Sequence, residues 1–266
     1  MRAALTERSA RVVAAVKLHR HVGRRRAGLF LAEGPNLVAA ALQRGLVRDL
    51  FVTEDAARRH DDLLAAHATP VHMVTERAAK ALSDTVTPAG LIAVCEIPET
   101  SLDTALAGSP QLIAVAVDIG EPGNAGTLIR IADAMGAAAV VLAGHSVDPY
   151  NGKCLRASTG SIFAIPVVIA PDATDALTRL RAAGLQVLAT TVDGETSLDD
   201  ADQILARATA WLFGPEARGL PAEVAAQADR RVRIPMVGGA ESLNVAAAAA
   251  ICTYQSARAL KLGQRT

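Results

Sequence analysis

The sequence predicts an α/β protein in which a carboxyl-terminal parallel sheet covered by helices follows a smaller α/β domain. Three observations carry this prediction. Short apolar runs alternate with helical patterns along most of the 266 residues, the arrangement of parallel strands joined by crossover helices. Residues 112–117 are apolar at every position, as a strand buried on both faces requires. Between 96 and 110 the pattern breaks at Pro98, Thr100, Ser101, Gly108, Ser109 and Pro110, a linker that divides the chain into domains 1–108 and 109–266.

The amino-terminal domain reads as a helix over 9–17, a basic loop over 19–26 and a strand at 29–32. A helix over 35–44 follows, closed by Gly45. Strands at 50–52, 71–74 and 90–97 then alternate with helices at 61–67 and 76–82. In the second domain strands are expected at 112–117, 139–143, 162–169, 185–190, 210–213 and 232–234. Helices are expected at 125–135 (stopped by Gly136), 153–157, 174–183 and, longest, 243–260. Aromatics are only 3% of the chain, so Ala, Val, Leu and Ile must build both cores.

Composition excludes several classes. Hydrophobic residues at 51% and charged residues at 20% describe a folded chain rather than a disordered one. No apolar run approaches the roughly 20 residues that span a bilayer, and the first residues lack the apolar core of a signal peptide. The cytoplasm is the expected location. Cys95, Cys154 and Cys252 are odd in number and far apart, and the six histidines do not fall at metal-ligand spacing, so neither disulfides nor a metal is expected.

Net charge is zero, but its distribution is not even. Residues 1–26 hold Arg2, Arg8, Arg11, Lys17, Arg20, Arg24, Arg25 and Arg26 against Glu7 alone. That segment is +7 and the remainder −7, a localised footprint for a polyanion such as RNA.

Ligands of parallel α/β sheets bind beyond the carboxyl ends of the strands, so the segments after the strands are the places to look. The first, 118–130, contains Gly123, Asn124 and Gly126, and places Arg130 one helical turn after Gly126. An ordinary helix start, with Arg130 paired to Asp133, explains it equally well. The second, 211–221, brackets Glu216 between Gly214 and Gly219, either a backbone cradle with a placed acceptor or a turn with a solvated acid. The third runs from Ile234 to Val245 and includes Ser242, Leu243 and Asn244. Helix capping alone accounts for Ser242 and Asn244. A dinucleotide site fails, because no GxGxxG follows a strand and no acid follows the strand ending in Ala143-Gly144-His145.

Taken in order, the three segments are more specific. Asn124-x-Gly126-x-x-x-Arg130, then Gly214-Pro215-Glu216-x-x-Gly219-Leu220, then Ile234-Pro235-Met236 followed by Ser242-Leu243-Asn244-Val245 resemble the signature motifs of the SpoU (TrmH-type) branch of the SPOUT RNA methyltransferases. Leu155-Arg156-Ala157-Ser158-Thr159-Gly160 is similar to a further stretch of that family. Lys17–Arg20, Arg24–Arg26 and Gly28–Gly34 resemble its ribosomal-protein-like substrate-binding domain.

The resemblance implies a catalytic domain with a deep trefoil knot, S-adenosylmethionine as cofactor, and a homodimer with the site near its interface. It implies that Gly214, Ile234 and Leu243, with Thr190, hold the cofactor largely through backbone groups. It assigns the chemistry to Arg130, Asn124, Glu216, Ser242 and Asn244, and the RNA grip to Arg20, Arg24, Arg25, Arg26 and Arg156. The reaction implied is methylation of a ribose 2'-hydroxyl. The separate amino-terminal domain points to 23S ribosomal RNA, with transfer RNA, or a non-catalytic role in RNA binding or ribosome assembly, as alternatives. Ala217 and Thr159 depart from the family pattern; the latter puts one cationic RNA contact in doubt.

Overall fold

A computed structural model describes residues 4–263; Arg2 of the basic segment lies outside them. In chain order the elements are α1 (Ala10–Val16), α2 (His21–Ala27), β1 (Leu29–Glu33), α3 (Pro35–Gln43), β2 (Val47–Val52), α4 (Glu54–Arg59), α5 (Asp61–Ala65), β3 (Val71–Met73), α6 (Glu76–Leu82), β4 (Leu91–Glu96) and α7 (Leu102–Leu106). Then come β5 (Leu112–Val117), α8 (Pro122–Ala134), β6 (Ala139–Ala143), α9 (Gly152–Ser158), β7 (Val167–Ala170), α10 (Ala173–Ala182) and β8 (Gln186–Thr190). The last are β9 (Thr196–Ser197), α11 (Asp202–Leu205), β10 (Thr209–Phe213), α12 (Ala222–Ala225), β11 (Arg230–Arg233) and α13 (Val245–Gly263). Among the described residues no helix is long and apolar enough to cross a membrane.

The chain forms two compact units. One comprises the residues up to Glu99 together with Tyr150–Phe163; the other comprises Thr100–Pro149 and the residues from Ala164 onward. The division therefore falls nine residues before the expected 108/109, because α7 seeds the second unit's core through Leu102 and Ala105. The expected linker holds that helix, with the Ser101 hydroxyl accepting from Thr104 N at its start.

The first unit is a four-stranded mixed sheet in the order β1-β4-β2-β3. Val12, Ala15, Leu18, Ala78 and Leu82 pack with Phe51, Ile92 and Val94 in its core. The basic segment 19–26 is not a loop. It is mostly helical, as α2, ended by Gly28 at φ 65°, and Gly23 lets this helix sit against the preceding turn: a Cβ there would lie 2.0 Å from Lys17 O. The segment 150–163 joins this unit, with Tyr150 and Phe163 against Phe30 at ring separations of 5.0 and 6.0 Å. The strand expected over 162–169 is accordingly shorter. Residues 161–163 form a 3-10 turn, and Pro166, which has no N–H to give a ladder, directly precedes β7.

The second unit is a seven-stranded sheet, β7-β6-β5-β10-β8-β11-β9, with every neighbouring pair parallel. The period of two along a strand sends alternate side chains to opposite faces. Ile113, Val115 and Val117 of β5, with Ala210 and Leu212 of β10, meet Leu102, Leu177, Leu180 and Val224 of the helices on one face. On the other face lie α8 and α13, which pack on each other and on β5. There the buried Trp211 donates from Nε1 to Ser256 Oγ at 2.8 Å, tying the centre of β10 to α13. The two sheet ends that result are chemically distinct.

Candidate cofactor cavity and polar cluster

At the carboxyl ends of β8, β10 and β11 the second unit has a cavity of about 790 Å³. Thr190, Gly214, Ile234 and Leu243, the four residues expected to hold a cofactor, all line it. Leu220, Met236 and Val245 add apolar wall, and Glu216, Arg218, Asp193 and Glu241 are among its charged groups. Gly214 follows β10 directly, where the chain turns back on itself through Gly219 N to Pro215 O at 2.8 Å. A Cβ on Gly214 would lie 2.4 Å from Leu220 N, so only glycine lets the two arms of this turn close and present backbone to the cavity. The hydroxyl of Thr190 is already committed, donating to Leu212 O at 2.9 Å.

The 191–193 side of the cavity, Thr-Val-Asp, carries no distinctive pattern in the sequence. Here Arg231 of β11 donates from Nε to Glu195 Oε2 and from Nη1 to Asp193 Oδ2, each at 3.1 Å. The Arg231 backbone N–H on Glu195 is the main reason that carboxyl lies below its usual range. Gly194 allows this loop onto β11, because a Cβ there would be 2.6 Å from Arg233 N.

Beside the cavity the three sequence segments converge on one carboxylate oxygen. Glu216 Oε1 accepts from Asn124 Nδ2 at 3.0 Å and from Val245 N at 3.2 Å, and also from Asn244 Nδ2. Asn124 stands in the first turn of α8, which starts earlier than expected because Pro122 suits a first helical position. Asn244 caps α13, its Oδ1 accepting from Ala246 N at 2.9 Å and Ala247 N at 3.3 Å. Asn244 thus caps α13 and at the same time meets Asn124 and Glu216. Ser242 differs: it is exposed and lines the cavity while Asn244 does the capping.

Arg130 is not drawn into this cluster. It is exposed on α8, outside the cavity lining, and its guanidinium has no hydrogen bond or ion pair among the described residues, Asp133 included. Asp118, at the end of β5, is held at φ 53°, with its Oδ1 accepting from His145 N at 2.7 Å. That bond ties the approach to α8 to the end of β6.

In the first unit Arg20, Arg25 and Arg26 are exposed, as an RNA-facing group must be. Arg24 is not. It is 4% exposed and donates from Nη1 to Leu18 O at 2.8 Å and His19 O at 2.9 Å, so it caps the preceding turn instead of meeting RNA. Arg156 is partly exposed and paired with Asp84.

Fold and site define an α/β enzyme unit with a ligand-sized cavity at the carboxyl end of its sheet, carried with a separate small α/β unit. Residues 111–254 match the SpoU rRNA Methylase family, and residues 9–93 match the MRM3-like substrate binding domain; the chain belongs to the SpoU rRNA methylase family. It is 37% identical over 241 residues to the 23S rRNA (guanosine(2553)-2'-O)-methyltransferase RlmP of Bacillus subtilis, covering 90% of this chain and 92% of the relative. It is 33% identical to the 23S rRNA (uridine(2479)-2'-O)-methyltransferase of Streptomyces viridochromogenes, covering 88% and 84%. Among solved structures it is similar to the SpoU methyltransferase AviRb of S. viridochromogenes in complex with AdoMet. There the TM-score is 0.85 and the identity 32%, over 94% of this chain and 98% of that one.

Proposed function

We propose that the chain transfers the methyl group of S-adenosylmethionine to the ribose 2'-hydroxyl of one 23S ribosomal RNA nucleotide. The observation that carries this reading is the meeting of Asn124, Glu216 and Asn244 beside the cavity. The relatives support the target atom: one is named for a guanosine and one for a uridine, so the ribose, not the base, is what they share. The reading includes a cytoplasmic location, supported by relatives named for ribosomal RNA.

The cavity fits the cofactor by its donor set. Ile234, Leu243 and Met236 give an apolar bed for a purine, and the Gly214 turn leaves backbone groups free to read its edge. Asp193 and Glu241 bring carboxylates to a site whose ligand carries a positive sulfur. Bound there, the cofactor supplies a methyl group activated by that charge. The deep trefoil knot belongs to this reading.

The residues of the chain have the remaining tasks. In-line displacement depends on alignment, and Glu216 holds Asn124 and Asn244 so that their amides bind the ribose in one orientation. Ser242, at the cavity, hydrogen-bonds the sugar. A guanidinium, with a pKa above about 12, is a poor proton acceptor. Arg130 instead binds the phosphate beside the target ribose and stabilises the developing alkoxide, and water takes the proton. Arg20, Arg25 and Arg26 hold RNA from the first unit, with Arg156 a lesser contact because it is shared with Asp84. Ile251 and Tyr254, exposed on α13, are apolar surface suited to a second copy in a homodimer.

The test is methyl transfer from labelled S-adenosylmethionine to 23S ribosomal RNA by Arg130→Ala. The expected result is loss of transfer with cofactor binding retained. A near wild-type rate would sink the assignment.

A further inference from the structure

Away from the cavity, at the opposite end of the same sheet, is a second depression of about 430 Å³ lined by Arg181, Arg207, Arg230, Gln186 and Asp229. Its place follows from the strand direction. Gln186 opens β8, Arg230 opens β11 and Arg207 lies just before β10, so three parallel strands present their amino ends here and their carboxyl ends at the cavity. Strands of four or five residues put the two ends roughly 13–17 Å apart.

The charge here is not balanced. Asp229 is the sole acid in the lining, and it is already engaged: Oδ2 accepts from Val187 N at 2.6 Å and Oδ1 from Arg181 Nε at 3.4 Å. Arg207 and Arg230 are exposed, and their guanidinium groups have no hydrogen bond or ion pair among the described residues. The other polar side chain, Gln186, is spent on Ile204 O at 2.6 Å and Thr209 Oγ1 at 2.8 Å. What the depression offers is therefore a set of planar cationic forks on a concave floor. Nothing in its lining offers the exposed aromatic or apolar anchor on which a protein interface would centre.

We infer that this depression is a second RNA contact, in which Arg207 and Arg230, with Arg181 behind them, hold backbone phosphates of the substrate. Guanidinium groups match phosphate oxygens two at a time. The inference rests on the RNA-methylation reading and adds to it a property of the substrate. An RNA that reaches the cavity and this depression together must pass around the height of the sheet. The contact therefore serves an extended, folded piece of ribosomal RNA and is idle on a short hairpin that carries only the target nucleotide.

The experiment compares the full-length protein with Arg207→Gln/Arg230→Gln. Binding to a transcript of a complete 23S ribosomal RNA domain, and to a short hairpin from it, is measured as a function of salt. S-adenosylmethionine affinity is measured in parallel. For the domain transcript the double variant is expected to bind about tenfold more weakly, with a log–log salt slope smaller by about 1.5, the loss of two phosphate contacts. Hairpin and cofactor binding are expected unchanged. An unchanged slope and affinity for the domain transcript, in a wild type that methylates it, overturns this inference alone. Saturable binding of inorganic phosphate at the depression without any effect on RNA assigns it to a free anion and also overturns it. A wild type that binds no ribosomal RNA overturns the functional reading together with the inference.

Discussion

Asn124 and Asn244 lie 120 positions apart, yet their side chains touch: Asn244 Nδ2 donates to Asn124 Oδ1 at 3.2 Å, and both amides also donate to Glu216 Oε1. This contact joins the amino ends of α8 and α13, the two helices that pack together on one face of the sheet. Capping and site-building are thus one interaction, and the account predicts that they fail together.

Glu216→Ala removes the common acceptor and strands three donors, Asn124 Nδ2, Asn244 Nδ2 and Val245 N. The turnover number should fall by about a hundredfold or more, on the scale of other lost orienting contacts. Steady-state kinetics should show the affinity for S-adenosylmethionine changing far less.

Gly214→Ala tests the cradle directly. The added Cβ would stand 2.4 Å from Leu220 N, and backbone cannot yield as a flexible side chain can. The 214–220 turn must open, so calorimetric cofactor binding should be lost. The wild type should show a rise in thermal midpoint with cofactor, and the variant none.

Arg24 and its neighbours should behave oppositely. Arg24→Ala leaves the carbonyls of Leu18 and His19 without their buried donor, at a cost of about 1–3 kcal/mol, readable as a lower urea midpoint. Arg25→Ala/Arg26→Ala should leave that midpoint in place and weaken RNA binding with a shallower salt dependence.

Ser256→Ala leaves the indole N–H of the wholly buried Trp211 without an acceptor. A loss of about 1–3 kcal/mol is expected from urea denaturation. Methyl transfer at 25 °C should persist, because neither residue of the pair lines the cavity.

Much of this architecture is legible in the sequence where one signal dominates. Residues 112–117 and 139–143 are strands with the expected limits, since both are short apolar runs rich in β-branched residues. Helix α6 also matches its expected limits, with Thr75 Oγ1 accepting from Ala78 N at its cap. The difficult places are those where local chemistry suggests one thing and packing decides another. Arg24 reads as surface because it is charged and sits among arginines, but its guanidinium is the cap of an adjacent turn. The segment 19–26 reads as a basic loop, but Gly23 within it is what lets a helix dock. The 191–193 side of the cavity carries no signature because it is held by Arg231, some 40 positions later. Asn124, Glu216 and Asn244 were visible only jointly, as three spaced motifs, since each by itself is an ordinary turn or cap.

The most direct measurement of the central claim is to incubate the protein with S-adenosylmethionine and unmodified 23S ribosomal RNA and map 2'-O-methylation nucleotide by nucleotide. The account predicts one new ribose methyl at a single position, absent with Arg130→Ala. A methyl group on a base, or none at all from protein that binds the cofactor, would contradict it.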